Sequence, residues 1–208
     1  MSQLTTLPAA PGIGEAAARP DDLIWRLGVE QYHAMVRAGI LGDDDPVELL
    51  DGWLVYKMPK NPPHRAVTRL VQDALARIVP AEWYVDAQEP ITLPDSEPEP
   101  GVMVIRGQTR QYLDRHPGPR DVALVVEVSD ATLQRDQELK KHVYARADIP
   151  VYWIVNLVEN QIEVYSGPSG PAAQPAYRQQ QRYRPAESVP VVIEGHPAGQ
   201  IAAGELLP

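Results

Sequence analysis

The chain has 208 residues, 44% of them hydrophobic and 23% charged, which is enough for one folded domain with a substantial core. It contains no cysteine, which excludes disulfide bonds, thiolate metal sites and cysteine nucleophiles and suits a reducing cytoplasm. Proteins that coat nucleic acids without sequence preference are usually basic, whereas this chain has a net charge of −9. Any contact with DNA therefore has to use a local basic patch.

The first 20 residues are rich in Ala, Gly, Pro and Thr and lack a hydrophobic period. They are predicted to form a flexible tail before a single domain over residues 21–208. The tail has no basic stretch followed by an apolar segment, so we expect no signal peptide. The longest apolar runs have five residues, whereas a bilayer-spanning helix needs about 20. We therefore expect a cytoplasmic protein that has no membrane partner.

The first predicted elements are a short helix and a β-hairpin. Residues 29–38 have the apolar spacing of a helix, and the glycine that follows them is a typical C-terminal stop. A strand is predicted over residues 47–50, and the return strand over 53–58. Between them, Asp51-Gly52 is typical of a two-residue hairpin turn with positive φ at both positions.

The clearest predicted helix begins at two consecutive prolines, Pro62 and Pro63. Six apolar residues then recur three or four positions apart, as they do on the buried face of an amphipathic helix. These residues are Val67, Leu70, Val71, Ala74, Leu75 and Ile78. Pro80 ends the predicted helix, because proline cannot continue the hydrogen-bond pattern.

The rest of the sequence alternates strand and helix signals. Residues 122–129 are almost wholly aliphatic, as expected of a strand covered on both faces, and a helix is predicted over about 133–147. The other strands are predicted over 83–87, 90–93, 102–106, 151–156, 161–166, 177–183 and 189–193, with a short end piece over 201–207. This order predicts one α/β domain with a mixed β-sheet flanked by helices.

One carboxylate stands inside the most aliphatic predicted strand. Glu127 follows the run Val122–Val126, and a carboxylate buried on both faces of a sheet costs several kcal/mol unless it is protonated, paired or bound to a cation. The alternative is that Glu127 lies at the end of the strand, where it reaches water or pairs with an arginine, because the strand pattern ends at Ser129.

The following helix offers Lys140 as a partner for Glu127. Lys140 shares a helical face with Val143 and Tyr144, so its ammonium is predicted to reach toward the adjacent strand. We expect the two side-chain ends to lie within about 6 Å, the range in which a charge shifts its neighbour's pKa. The alternative is an exposed pair of Asp136 and Lys140, one helical turn apart, which contributes only about 0.3–0.5 kcal/mol.

A series of short motifs, in a fixed order, resembles a known group of nucleases. The motifs are Tyr32-His33-x-Met35, Val47-Glu48-Leu49-Leu50-Asp51-Gly52, His64, Gln88-x-Pro90-Ile91, Ser96-Glu97-Pro98-Glu99-Pro100, Glu127-Val128-Ser129, Thr132-Leu133, Tyr144-Ala145-Arg146 and Tyr152-Trp153-Ile154-Val155-Asn156. Each motif alone is weakly specific. In this order, over residues 29–166, they resemble the Uma-two family of restriction endonucleases, within the PD-(D/E)xK superfamily. The resemblance implies a restriction-endonuclease-like fold and metal-dependent hydrolysis of DNA.

The resemblance also implies the roles of the site residues. In the family, a divalent cation such as Mg²⁺ or Mn²⁺ is held by two carboxylates and a backbone carbonyl, and a lysine orients the attacking water and offsets charge. The second carboxylate belongs to a Glu-Val-x-Ser motif, which corresponds to Glu127 in this chain, and Val128 supplies the carbonyl. The lysine corresponds to Lys140.

The first carboxylate of the family pattern is missing. Where the family has Pro-Asp-Val, this chain has Pro100-Gly101-Val102, and glycine has no side chain to bind a metal. Glu99 lies two residues upstream and across a proline, so it would need a different loop path to take this role. The resemblance therefore implies that metal binding is weak or lost and that turnover is low, unless Glu99 or Glu48 takes the place of the missing acid.

Four further residues are candidates for the site, and each has a structural alternative. Glu48 resembles an acidic residue of the family on that strand, but it also fits a strand-end surface acid. His64 fits either a catalytic histidine or a neutral core or capping histidine. Gln88 fits either a hydrogen bond to the metal-bound water or an ordinary surface amide. Tyr144, one turn after Lys140, is expected in the core with its hydroxyl near the site.

Basic residues cluster in two runs that would flank such a site. The first run is Lys57, Lys60, Arg65, Arg69 and Arg77. The second run is Arg106, Arg110, Arg115 and Arg120. Charge runs of this kind usually form a solvated surface, but their position on either side of the site favours DNA as a partner.

Other hydrolytic and nucleotide-binding motifs are absent from the sequence. It has no zinc-like histidine spacing, no Gly-x-Ser-x-Gly and no phosphate-binding Gly-x-x-x-x-Gly-Lys loop. We therefore interpret the chain as a metal-dependent DNA endonuclease, or a degenerate member of that family, and expect a homodimer because related nucleases cut two strands. The alternative is a catalytically inactive DNA- or protein-binding module on the same scaffold.

Overall fold

The computed structural model describes residues 24–42 and 44–208. The tail predicted for residues 1–20 lies outside the described residues. Within the described ranges, no helix combines the length and the apolar character that crossing a bilayer requires.

The first elements are the helix and the hairpin that the sequence predicts. Helix α1 spans Val29–Arg37, and strands β1 (Val47–Leu50) and β2 (Trp53–Tyr56) pair in antiparallel fashion. In the turn between the strands, Asp51 has a φ of 49° and Gly52 a φ of 78°, as the dipeptide predicts. Strand β2 ends two residues before the predicted limit.

Helix α2 (Pro62–Ala76) begins at the two prolines, and the Asn61 side chain accepts a hydrogen bond from the N–H of His64 at the helix N-terminus. Five of the six predicted apolar side chains are buried or partly buried. Leu70 is the exception, with 45% of its surface exposed, because it lies at the margin of the apolar face. The predicted helix and its buried face are therefore confirmed with two corrections, since the helix also ends at Ala76 and Ile78 packs against the core from the turn that follows.

A six-stranded mixed sheet forms the centre of the fold. In pairing order, its strands are β3 (Trp83–Asp86), β4 (Val102–Arg106), β5 (Val122–Ser129), β6 (Val151–Asn156), β7 (Gln161–Pro168) and β8 (Tyr177–Tyr183). Strands β5 and β6 are parallel, and the other neighbours in this sheet are antiparallel. The prediction of an α/β fold with a mixed sheet is confirmed.

The parallel pair β5–β6 requires a crossover connection, which residues 133–146 supply. They form helix α3 (Leu133–Arg135), a π-helical segment (Asp136–Lys140) and helix α4 (Lys141–Arg146). We call residues 133–146 the crossover helix. The sequence predicts one regular helix here, and the π-helical segment is where the structure differs.

The C-terminal part of the chain forms a second hairpin. Strands β9 (Ser188–Ile193) and β10 (His196–Ala202) pair in antiparallel fashion, and helix α5 (Ala203–Leu206) follows. Most of β10 lies outside the predicted end piece, because Pro197 and Gly199 interrupt its strand pattern. The pairing register shifts between these two residues, as it does at a β-bulge.

The strand predicted over residues 90–93 is not formed. The N–H of Ile91 donates to the Pro98 carbonyl, and the N–H of Leu93 donates to the Ser96 carbonyl. The segment therefore folds back on the residues that follow it and does not join the sheet. The side chains of Ile91 and Leu93 are nevertheless buried. The apolar pattern therefore predicted their burial correctly but not their pairing in a strand.

Strand β5 is buried along its whole length, and its side chains alternate between two core regions. Val126 and Val128 contact the apolar cluster that also contains the buried face of α2, whereas Val125 belongs to the cluster on the side of the crossover helix. Glu127 follows this alternation and therefore faces the crossover helix. The fold thus directs the one carboxylate of β5 toward the helix that carries Lys140.

Candidate active site

Glu127 and Lys140 form a buried ion pair between β5 and the crossover helix. The residues are only 6% and 4% exposed, and Lys140 Nζ donates to Glu127 Oε1 at 2.9 Å. The predicted proximity of the two side chains is confirmed. Glu127 is buried and not exposed at the strand end, although it lines a small cavity, and its partner is a lysine and not an arginine.

Glu48 and Tyr144 complete this cluster. Glu48 of β1 is 2% exposed, and its Oε2 lies 3.2 Å from Lys140 Nζ, so the ammonium lies between two carboxylates. The alternative of a surface acid at Glu48 is therefore wrong. The Tyr144 hydroxyl donates to Glu127 Oε1 at 2.8 Å. Both hydrogen bonds to Glu127 use Oε1, which leaves its Oε2 without a donor among the described residues.

The π-helical segment places both Asp136 and Lys140 in the interior. Asp136 is 2% exposed, and its Oδ2 accepts hydrogen bonds from the Ser129 hydroxyl at 2.7 Å and the Thr132 hydroxyl at 2.6 Å. The Tyr152 hydroxyl donates to the Asp136 carbonyl at 3.1 Å. These bonds hold the segment against the end of β5, and the alternative of a solvated Asp136–Lys140 pair is wrong. Such π-helical turns occur frequently at functional sites.

Burial and charge act against each other in the cluster. Burial raises the pKa of Glu127 to about 7, although the ammonium of Lys140 lowers it. Burial would lower the pKa of Lys140, but the charges of Glu127 and Glu48 outweigh this effect and the pKa is raised above its usual value. The lysine is therefore charged at neutral pH, while Glu127 can take up or release a proton there. A carboxyl group of this kind is suited to general acid–base chemistry.

Gly101 lies directly before β4 and beside Glu127. A Cβ atom built on Gly101 would be 3.8 Å from Glu127 Cα and 3.1 Å from the Val126 carbonyl oxygen. The φ of Gly101 is outside the left-handed region, so a residue with a side chain can adopt this backbone conformation. A side chain at position 101 would therefore start next to Glu127, at the cost of a small shift at Val126.

A cavity of about 70 Å³ opens beside these groups, which is the volume of about two liquid water molecules. Its polar and charged lining residues are Lys57, Lys60, Glu48, His64, Gln88, Glu99, Glu127, Thr132, Arg135, Asp136 and Lys140, and Gly101 and Val128 also line it. Seven of the eight residues that the sequence proposes for the site therefore line one cavity. The eighth, Tyr144, is fully buried and contacts the site through Glu127.

His64 and Gln88 contribute backbone as well as side-chain atoms near the cavity. The N–H of His64 donates to the Asn61 side chain that caps α2, and burial and the charge of Lys60 lower the pKa of the His64 ring, which is therefore neutral at pH 7. Gln88 has a φ of 63°, which is uncommon for a residue with a side chain, and its N–H donates to the Pro100 carbonyl at 3.1 Å. Asn61 and not His64 caps α2, and the partly buried ring of His64 is compatible with both the core and the site interpretation.

Several lining residues lie outside the sequence-based prediction of the site. Lys57 pairs with Glu99 at 2.7 Å across the cavity lining. For Asp136, the sequence feature that could have indicated a place in the site is its position four residues before Lys140 on the same helix. Arg135 carries no such signal, because it lies off the apolar face of a regular helix.

The second basic run is partly neutralised by acids. Arg106 forms an ion pair with Glu194, and Arg115 Nη1 lies 2.6 Å from an Asp121 carboxylate oxygen. Exposed pairs of this kind contribute little to stability, but they reduce the positive charge available to a nucleic acid. In the first run Lys57, Arg69 and Arg77 are likewise paired, with Glu99, Asp73 and Glu205, so both runs are partly neutralised.

The residues present do not fit a tightly held divalent cation. Over residues 24–42 and 44–208, no three His, Asp or Glu side chains are placed to share a metal ion. The ammonium of Lys140 takes the position between Glu48 and Glu127, and Gly101 offers no ligand. Of the two metal-binding carboxylates that the resemblance implies, Glu127 is present and the one at position 101 is missing.

Comparisons with known proteins bear on the fold and the family of the chain. A solved structure from Anabaena variabilis, described as a putative nuclease belonging to DUF820, superposes with a TM-score of 0.61 and 13% sequence identity, covering 86% of this chain and 97% of that one. At this identity the likeness establishes the fold. Curated proteins give no match. The family described as Uma2, putative restriction endonuclease, matches residues 29–197. Because this match covers most of the chain, the chain belongs to the Uma2 family.

Proposed function

We propose that this chain is a Uma2-family endonuclease that hydrolyses DNA phosphodiesters at a low rate. The observation that carries the proposal is the position of Gly101, next to Glu127 in the cavity that Lys140 also lines. The ion-pair cluster expected of the site is present, whereas the side chain that the family pattern has at position 101 is missing. We therefore expect Mg²⁺ or Mn²⁺ to bind weakly and turnover to be low.

The contacts of the cluster support a role for each of its groups. The charged Lys140 would stabilise the negative charge that develops on a phosphate during hydrolysis. Glu127, with a pKa of about 7 and a free Oε2, would accept a proton from an attacking water. Tyr144 fixes the other carboxylate oxygen, which keeps Oε2 in one orientation.

A basic groove beside the site supports DNA as the substrate. This groove has a volume of about 740 Å³ and is lined by Lys60, Arg65 and Arg69, with no acidic residue in its lining. It shares Lys60 and Gln88 with the site cavity, so a strand that follows the groove would arrive at Glu127. We also propose a homodimer, because each chain provides one site and a duplex has two strands.

Nicking of supercoiled plasmid DNA in the presence of Mn²⁺ tests the proposed function. Gly101→Asp is expected to nick at least about 10- to 100-fold faster than the natural chain, because even an outer-shell partner of a metal ligand contributes a factor of that size. A chelator, or the addition of Glu127→Gln to the Gly101→Asp variant, is expected to abolish this activity. Gly101→Asn is the matched control, since it adds the same volume without the charge.

Two results would contradict the proposal in different ways. If the natural chain nicks as fast as Gly101→Asp and depends on Glu127, then Glu48 or Glu99 provides the missing acid and hydrolysis is not weak. If no variant nicks DNA, the chain is a binding module on a nuclease scaffold. The second possibility is favoured by one observation, namely that the Lys140 ammonium already occupies the position between both glutamates of the cluster.

A further inference from the structure

The side chain of Arg135 enters the site cavity with an unused hydrogen-bond donor. Its Nη1 donates to the Tyr56 carbonyl at 2.5 Å, which anchors the guanidinium to β2. Its Nε is buried and has no hydrogen-bond partner. In the part of the chain that the structure describes, only Trp153 Nε1 shares this property, and Trp153 does not line the cavity.

A buried N–H without an acceptor is costly, by about 1–3 kcal/mol for a neutral group and more for a charged one. Folded proteins satisfy nearly all such donors, so the acceptor for a donor beside a cavity comes from the cavity, as a water or as a ligand that displaces it. The donor belongs to a guanidinium, which is always charged and matches phosphate oxygens in geometry. The missing acceptor is therefore expected to be anionic.

Lys60 provides a second cation without a direct ion pair in the same cavity. The other two lysines of the lining are paired, Lys57 with Glu99 and Lys140 with both buried glutamates of the cluster. Lys60 has no ion pair with a carboxylate among the described residues, and it also lines the basic groove. Two cations without carboxylate partners thus face one small cavity.

We propose that Arg135 and Lys60 form a subsite for one phosphate group of a nucleic-acid strand, next to the Glu127–Lys140 pair. This inference rests on the proposed function for the identity of the strand, but the subsite itself requires only a phosphate oxygen. Because Arg135 Nε is buried as the chain stands, a small shift of the side chain would bring it to that oxygen, and Lys60 would approach from the side of the basic groove. Because Tyr56 already holds the guanidinium, little side-chain freedom is lost on binding.

Inorganic phosphate is the probe, since it carries the proposed chemistry without a DNA strand. Its binding to the full chain is measured by calorimetry, and we expect Arg135→Gln and Lys60→Gln each to weaken it by about 10-fold, which is the effect of losing one charged hydrogen bond. Arg178→Gln, an exposed arginine in β8 outside the cavity, is the control and is expected to bind as the natural chain does.

Each outcome decides the proposal. Unchanged phosphate affinity in Arg135→Gln, or no phosphate binding by the natural chain at low salt, would overturn it. Should Arg135→Gln fail to fold, Arg135→Lys replaces it, because lysine keeps the charge and a donor for the Tyr56 carbonyl but lacks Nε. Phosphate affinity is then compared among Arg135→Lys, Lys60→Gln and the natural chain. Phosphate binding that persists in a chain without nicking activity would mean that the proposed function fails while the subsite stands.

Discussion

The ammonium of Lys140 contacts both glutamates of the buried cluster and offsets one of their two charges. It lies within 3.2 Å of carboxylate oxygens from Glu127 and Glu48, and none of the three residues is more than 6% exposed. Forming such a buried cluster is costly, because each charge loses its hydration. Removing one partner is costlier still, since it leaves an uncompensated charge in the interior.

Lys140→Met is therefore expected to lower the free energy of unfolding by about 3–5 kcal/mol, as measured by urea denaturation. Adding Glu127→Gln to this variant removes the second charge and is expected to restore about half of the loss, because Glu48 stays unpaired. The account would be contradicted by a loss below about 1 kcal/mol in Lys140→Met, or by a double variant that is no more stable than the single one.

At the scale of the elements, the buried carboxylate of Glu163 ties β7 to its surroundings. It is fully buried and accepts hydrogen bonds from Asn156 of β6 and Gln137 of the π-helical segment, both at 2.8 Å, and from the Tyr165 hydroxyl. Burial alone would raise the pKa of Glu163, but these hydrogen bonds outweigh it and the pKa is lowered. The ionised carboxylate is thus the form that the fold holds.

Because its pKa is lower in the folded chain than in the unfolded one, Glu163 contributes stability above its unfolded pKa, and this stability is lost as the pH falls through the folded pKa. Glu163→Gln is expected to be less stable than the natural chain by about 2 kcal/mol near pH 7. It is also expected to lose less stability on acidification to about pH 3. Urea denaturation at both pH values checks this, and equal losses in the two proteins would contradict it.

Elements with a strong local signal could be predicted from the sequence, and those that depend on tertiary contacts could not. The apolar period of α2 and the solid aliphatic run of β5 each specify one structure. The π-helical segment has no such signature, since it depends on the contacts that hold Asp136 at the end of β5. Residues 90–93 have the composition of a strand, but the hydrogen bonds from Ile91 and Leu93 are made within a loop.

The same distinction applies to the candidate site. Strand alternation and helix faces are local properties of the sequence, and they were enough to predict that Glu127 and Lys140 lie close together. The approach of Glu48 depends on where the β1–β2 hairpin packs against the crossover helix, far away in sequence. The unused donor of Arg135 is likewise visible only once Tyr56 is in place.

At the scale of the whole molecule, an acidic chain carries one groove without acids. The net charge is −9, whereas Lys60, Arg65 and Arg69 line the groove that leads to the site. Each phosphate that a cation neutralises releases a counterion, so binding of DNA through this groove should weaken steeply as the salt concentration rises.

The double variant Arg65→Gln/Arg69→Gln is expected to reduce the slope of log K against log salt by about two, one for each lost phosphate contact. Fluorescence anisotropy with a labelled duplex at several salt concentrations measures this slope. Arg77→Gln, at the C-terminal end of α2 but paired with Glu205 and outside the groove, is the matched control. A slope that stays the same in the double variant would show that DNA binds elsewhere or does not bind.

The central claim is that position 101 is the missing ligand beside Glu127, and Mn²⁺ calorimetry tests it most directly. We expect Gly101→Asp to bind Mn²⁺ at least about 10-fold more tightly than both the natural chain and Gly101→Asn, with the gain removed by Glu127→Gln. The asparagine variant shares the close contact with Val126 and so controls for the added volume. If Gly101→Asp binds Mn²⁺ no more tightly than Gly101→Asn does, position 101 is not the missing ligand.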